Sequence, residues 1–381
     1  MKGKIAEILK IVILITIPLA TGLAALGLII LTVLCFNALR KQWLQDKIAL
    51  GVVLFCLLAG LLSTLLVAKD KLMAGQGLLS LFVAFWLYFV GRYIYTPRDL
   101  SRLLPVMVPT LGFLSLLCVI QGIWHPQISF RLFQGEYILL SPENGNTVLT
   151  LSVNAFAPLN SFAFVLGSSW WFKKQSRPVH KAGGEVVALL SLLALVLLGR
   201  RNGAVSLMVG VLVLILLVNW KVLGLLVGNS ILALILAPHY LKRFFSIFNL
   251  NYPSNLYRIL LSISSMAMIR HYPLLGVGPE NFAQVYPAYR LPQETEFLRG
   301  PHNIFLYMAT QWGLPVALVL FGWIIWRLVH HLKESKFFDK RVIIAVIVSF
   351  LIYGLFDDIM FVFAIAGLFW LFLGMLEIPT D

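Results

Sequence analysis

The sequence predicts an all-α polytopic membrane protein, and three observations carry that prediction. Of 381 residues, 60% are hydrophobic and only 12% charged, with a mean hydropathy of +0.90. A soluble domain carries about a quarter charged residues. Apolar runs long enough to cross a hydrocarbon core, ~20 residues, recur along the chain. Lys and Arg gather in short segments between those runs, as the positive-inside rule expects. The longest polar stretch, Pro238–Pro301, has 64 residues and is broken by prolines and charges, so no soluble domain has room for its own core. The chain reads as one integral membrane domain, 1–381, with 238–301 a long loop within it.

The net charge of +14 does not point to nucleic acid. The basic residues lie in inter-helix loops, with no basic run interleaved with aromatics. Cys35, Cys56 and Cys118 all fall inside apolar runs without metal-ligand spacing, so they read as small hydrophobes in helices. The N-terminus has a basic start like a signal peptide. Its apolar run, Ile11–Phe36, is 26 residues, beyond the ~7–15 of a signal core, so it reads as a retained membrane segment.

The expected spans are 48–68, 74–95, 103–124, 150–172, 184–199, 203–219, 221–237, 302–326, 342–357 and 360–377, besides the N-terminal run. Placing "FKKQSRPVHK" and "RLVHHLKESKFFDKR" in the cytoplasm puts 19 of the 30 Lys and Arg inside and the other 11 outside. The loops 125–147 and 238–301, the Arg200/Arg201 turn and the Asp357/Asp358 turn then face outward. A single span over 11–36 would leave Lys2, Lys4 and Lys10 outside. Pro18 and Gly22 allow a hairpin instead, giving about 11–12 transmembrane helices in all, with both termini inside for the hairpin.

Polar residues then converge on the outer face. "LLGRRNGAVSL" places Arg200 and Arg201 at a turn between apolar helices. Guanidinium groups there admit two readings, snorkelling at a helix end or facing an anionic ligand whose phosphate geometry their forks match. Leu256–Ile269 has helical apolar spacing with Arg258 and serines between, which predicts an amphipathic helix near the outer surface. Pro273 ends it, and Gly276 and Gly278 in "GVGPENF" permit a turn with positive φ. That loop lacks the Lys-Ser/Thr and the strand context of a nucleotide site, and by itself reads as a structural turn.

His302 and Asn303 open the next apolar run. A histidine at a helix N-terminus is disfavoured in its protonated form by the macrodipole. It could serve as a general base toward a hydroxyl or simply stand as a boundary histidine. No HExxH, GxSxG or metal cluster competes. Asp357 and Asp358 read as turn residues between two spans, with an ion- or donor-binding role as the alternative.

Taken together, Arg200-Arg201, Arg258, "HYPLLGVGPENF" and "PHNIFLYMATQWGLPVALVLF" resemble, in order and spacing, the O-antigen ligase and polymerase superfamily. The resemblance covers about 198–322. It implies a GT-C-type glycosyltransferase of the bacterial inner membrane, acting on the periplasmic face without metal or other cofactor. The donor would be a glycan on undecaprenyl diphosphate. The acceptor would be a hydroxyl of lipid A-core in a ligase, or another lipid-linked repeat in a polymerase. Under that resemblance Arg201 and Arg258 bind the diphosphate, with Arg200, in place of the family's serine, sharing the work. His302 activates the acceptor hydroxyl, and Gly276, Gly278 and Asn303 position the loop and helix start. Pro301 stands where many ligases carry a second histidine. A secondary transporter of an anionic solute is the alternative from another class, and a non-catalytic membrane scaffold a third. Its charges cluster at helix ends rather than mid-span, where a transporter would place them.

Overall fold

In the computed structural model the chain is a bundle of helices, as the composition predicts. It describes residues 2–19, 21–42, 46–124, 128–132, 135–141, 147–148, 153–174, 176–218, 246, 249, 251–293, 300–334, 337–358 and 362–379. The span expected at 221–237 lies outside the described residues.

The N-terminal run forms two helices, α1 (Lys2–Leu19) and α2 (Thr21–Gln42). Ile13 of α1 lies against Gly27 of α2. Lys10 is buried and donates to Asp99, 2.9 Å, and Glu7, 2.7 Å. The run is therefore a hairpin that returns its basic start to the end of the bundle holding Asp99.

Next come α3 (Lys47–Leu66), α4 (Lys71–Tyr93) and α5 (Pro97–Trp124). Asp46 and Asp70 start the first two by accepting from backbone amides of the first turn, which satisfies donors that a helix leaves unpaired. After α5, an element absent from the sequence reading interrupts the helices. It is a small antiparallel sheet of β1 (Ile128–Leu132), β2 (Gly135–Ser141) and β3 (Thr147–Val148), with β2 in the middle.

α6 (Val153–Phe172), α7 (Pro178–Leu198) and α8 (Arg201–Val218) follow, and they pack closely where Gly167 meets Gly184 and Gly203 meets Ala157 and Leu195. α7 ends at Gly199, whose φ of 61° lets the chain turn sharply into the Arg200-Arg201 pair. Further along the chain lie α9 (Pro253–His271) and the short α10 (Phe282–Val285). They share a small core of Leu261, Met268, Val277, Phe282, Val285 and Tyr286, separate from the main one.

The expected span 302–326 is two helices rather than one. α11 (Ile304–Trp312) stops at Gly313, and α12 (Leu314–Glu334) begins after it. Gly313 has φ 93°, and a Cβ there would collide with the Leu274 carbonyl. That contact is what breaks the apolar run. α13 (Phe338–Gly354) and α14 (Phe363–Leu376) close the fold, with α14 almost wholly buried. Among the described residues six helices are long and apolar enough to cross a membrane: α3, α4, α5, α7, α8 and α12.

Candidate functional site

The expected amphipathic helix is α9, one turn longer at its start than its apolar spacing suggests. It buries Leu261, Ser264, Ser265 and Met268 and leaves Leu256, Ile259, Ile263 and Met266 exposed on another side. Two adjoining clefts lie along it. One, about 200 Å³, is lined by Arg201, Asn202, Asn255, Arg258 and Phe356 among others. The other, about 350 Å³, is lined by Arg258, Ile263, Met266, His302, Asn303 and Phe356 among others. Arg258 and Phe356 border both, so Arg201, Arg258 and His302 sit along one continuous surface. Arg200 is exposed and lines neither cleft.

Each cation is held in a defined pose. Arg201, the first residue of α8, donates to Ser246 (2.7 Å), Asn255 (3.1 Å) and Ser254. Its guanidinium also stacks on Tyr252, 4.5 Å from the ring centre. Arg258 donates from Nε to the Phe356 carbonyl (3.2 Å) and from Nη1 to the Ser254 carbonyl (3.3 Å). Among the described residues no carboxylate lies within ion-pair distance of Arg258. A fork held by carbonyls keeps its full charge available to the cleft.

His302 shows what the sequence reading underrated. Its Nδ1 is 3.0 Å from Asp357 Oδ1. Its backbone N–H and that of Asn303 donate to the two oxygens of Asp358, at 2.8 and 2.9 Å. The paired aspartates do form a turn between α13 and α14, but that turn also grips the histidine. His302 has φ 50°, an uncommon conformation for a residue with a side chain, and the two amides on Asp358 hold it there. Gly300 leaves room for the Asp358 carboxylate, which a Cβ would strike.

The electrostatics differ from the expectation of a neutral histidine under a helix dipole. His302 precedes the N-cap, Asn303, rather than sitting inside the helix. Burial works against its protonated form. The hydrogen bond to Asp357 and the charges of Asp358 and Asp357 outweigh burial and raise its pKa above the ordinary value. Burial likewise raises Asp358 to about 6. With Nδ1 engaged by a carboxylate, the N–H is favoured on that nitrogen, which leaves Nε2 to accept a proton.

Asn303 caps α11 through Phe305 and Leu306, at 2.9 and 3.0 Å, and donates to the Leu355 carbonyl at 3.0 Å. It ties the start of α11 to the aspartate turn. Gly276 and Gly278 act at the other end of that helix, about 13 Å away for nine residues. Val277 and Gly278 donate to the carbonyls of Thr310 and Gln311, at 2.9 and 3.0 Å, and Leu314 to Pro273 at 2.9 Å. Both glycines have positive φ, and a Cβ on Gly276 would meet the Gln311 backbone. The amides of Val277 and Gly278 in this loop are spent on helix carbonyls. Asn281 completes the clasp by exchanging hydrogen bonds with the Asp70 backbone, 2.7 and 2.9 Å.

Among the described residues no three or more His, Cys, Asp or Glu are placed to hold a metal ion. The Asp357–His302 pairing had one signal in the sequence, adjacent carboxylates at a turn assigned to the same face as the histidine.

No curated protein matches the chain. One chain of a solved structure, "Structural coordination of polymerization and crosslinking by a peptidoglycan synthase complex", is 15% identical over 85% of this chain and 96% of its own. The TM-score between the two chains is 0.45. Residues 186–321 match the O-antigen ligase family, a stretch that holds Arg200, Arg201, Arg258, both loop glycines, His302 and Asn303. That similarity covers 136 of the 381 residues of this multi-pass membrane protein.

Proposed function

We propose that the protein is a glycosyltransferase of the bacterial inner membrane that transfers a glycan from undecaprenyl diphosphate to an acceptor hydroxyl on the periplasmic face. The 1–381 chain acts as one membrane domain, with its termini cytoplasmic. The ligase reaction, with lipid A-core or another envelope acceptor, is the reading adopted. Polymerisation onto a second lipid-linked repeat is its alternative within the superfamily. The observation that carries the proposal is the carboxylate-backed His302 on the same cleft surface as Arg258 and Arg201.

The chemistry follows from those residues. His302 Nε2 takes the proton of the acceptor hydroxyl as its oxygen forms a bond to the anomeric carbon. The bond from that carbon to the diphosphate oxygen breaks, and undecaprenyl diphosphate leaves with the electron pair. Attack opposite the leaving group inverts the configuration. Arg258 and Arg201 face the developing charge on the diphosphate, where fixed cations stabilise the transition state more than the ground state. Arg200, outside both clefts, could meet the donor only at their margin. Asp357 orients His302 and stabilises the imidazolium that forms.

Deleting the gene and examining the surface polysaccharide tests the reading. Full-length chains left on undecaprenyl diphosphate support the ligase, and unpolymerised single repeats support the polymerase. Unchanged polysaccharide, with reconstituted protein moving an anionic solute, would replace both with a transporter.

A further inference from the structure

We propose that the far tip of the α9 module is a binding surface for an acidic saccharide, one whose sugars carry carboxylate or phosphate groups. The inference rests on the glycan-transfer reading for the identity of its partner, and on the following geometry for the surface itself. Arg270 and His271 end α9, and Arg290 follows the short turn after α10; all three are exposed. Lys69, also exposed, reaches the same module, with its Nζ 3.5 Å from the Gln284 carbonyl.

Among the described residues two carboxylates of this module, Asp70 and Glu280, are turned to other work. Asp70 caps α4 through Leu72 and Met73, at 3.0 Å each. Glu280 points to the Tyr307 hydroxyl, 2.7 Å away. Among the described residues, none lies within ion-pair distance of Arg270, Arg290 or Lys69. The helix macrodipole accounts for a cation at Arg270, but not for those at Arg290 and Lys69. Cations that meet no carboxylate among the described residues favour an anionic partner.

The aromatic rings between the cations favour a saccharide over a lipid headgroup. His271 stacks on Tyr272 with centres 4.9 Å apart and meets Tyr289 edge-on at 5.9 Å. Tyr272 and Tyr289 pack on the small core beneath, so the rings form a fixed apolar face flanked by guanidinium forks. Such forks match carboxylate and phosphate oxygens in geometry. The surface also continues the cleft. Arg270 lies twelve residues beyond Arg258 on one helix, about 18 Å, with Ile263 and Met266 of the cleft wall between them. That is too far to touch the reacting atoms. It suits the part of a glycan that extends out of the cleft.

The test is calorimetric titration of the full-length protein in neutral detergent with a short oligogalacturonate, against a short dextran as the neutral control. Oligogalacturonate is expected to bind, weakening with salt, and to lose about tenfold or more in affinity in R270E/R290E. R270Q/R290Q is expected to show the same loss in milder form, with an unchanged melting temperature confirming the fold. Equal affinity for dextran, unchanged affinity in both variants, or no binding by the wild type would each overturn the proposal. Anionic phospholipid co-purifying with the wild type and lost from the variants, without oligogalacturonate binding, would assign the surface to lipid instead. If oligogalacturonate binds as expected but the protein transfers no glycan, the transfer reading fails and the surface stands.

Discussion

The two ends of the helix bundle handle buried charge in opposite ways. At the end away from the clefts, Asp46 and Glu377 meet Arg92 and Arg327. Arg327 reaches Asp46 at 2.9 Å and Glu377 at 3.0 Å, and Arg92 reaches Glu377 at 3.3 Å and also pairs with Asp46. His331 adds a contact to Glu377 at 3.1 Å. Two carboxylates and two guanidinium groups cancel inside protein, and they join the start of α3 to α4, α12 and the end of α14. At the cleft end Arg258 is held by carbonyl oxygens, and Asp357 and Asp358 are committed to His302 and the amide beside it. Charges that cancel one another hold a fold together, whereas a cation braced by neutral groups is set up to meet something from outside.

That contrast can be broken by mutation. Replacing His302 by Ala is expected to lower transfer by about 10²–10⁴-fold, the range for a lost general base, and Arg258→Ala to abolish it. Both variants should melt like the wild type in detergent. Arg327→Ala should do the reverse. Leaving Asp46 and Glu377 short of a partner is expected to cost ~3–5 kcal/mol of stability, read as a large drop in melting temperature and in folded yield. A folded, stable Arg327→Ala protein would remove the structural role given to that cluster.

Asp357→Asn sharpens the comparison on the cleft side. The raised pKa of His302 means that its base form, and with it transfer, is lost as pH falls through a value above the ordinary ~6.5. The amide removes the Asp357 charge, one of the two that raise it, and leaves that of Asp358. The acid limb of the pH–rate profile should therefore move to lower pH, with the rate down on the order of 10–100-fold. A limb that does not move would mean that His302 is not the titrating group. The smallest effect is expected at Asn303→Ala, which removes the cap of α11 and costs ~1 kcal/mol, seen as a modest fall in melting temperature.

Most of the fold was legible because hydropathy and helix length are local properties. α3, α4, α5 and α8 fall within about six residues of the bounds of their apolar runs. The features missed depend on contacts across the chain. Nothing local in 302–326 shows that Leu274 will sit against Gly313 and split the run in two. The three strands at 128–148 are short segments in a polar loop, without a length or hydropathy signature of the kind that marks the spans. The site divides in the same way. Arg201, Arg258 and His302 stand out by charge beside apolar runs, and they meet along one surface. The grip of Asp357 and Asp358 on His302 spans 55 residues and needs α13 and α14 to fold back beside α11. The glycine loop carried a visible turn signal, but which helix it would clasp could be read only from the packed chain.

The central claim is that a carboxylate-backed histidine performs the transfer while the arginines beside it hold the diphosphate. The most direct measurement is single-turnover transfer by purified, reconstituted protein, comparing wild type with His302→Ala at saturating undecaprenyl-diphosphate-linked glycan and acceptor. The account predicts that the variant still binds the donor and melts at the wild-type temperature, while transfer falls by about 10²-fold or more. Transfer at the wild-type rate in a folded His302→Ala protein would contradict it.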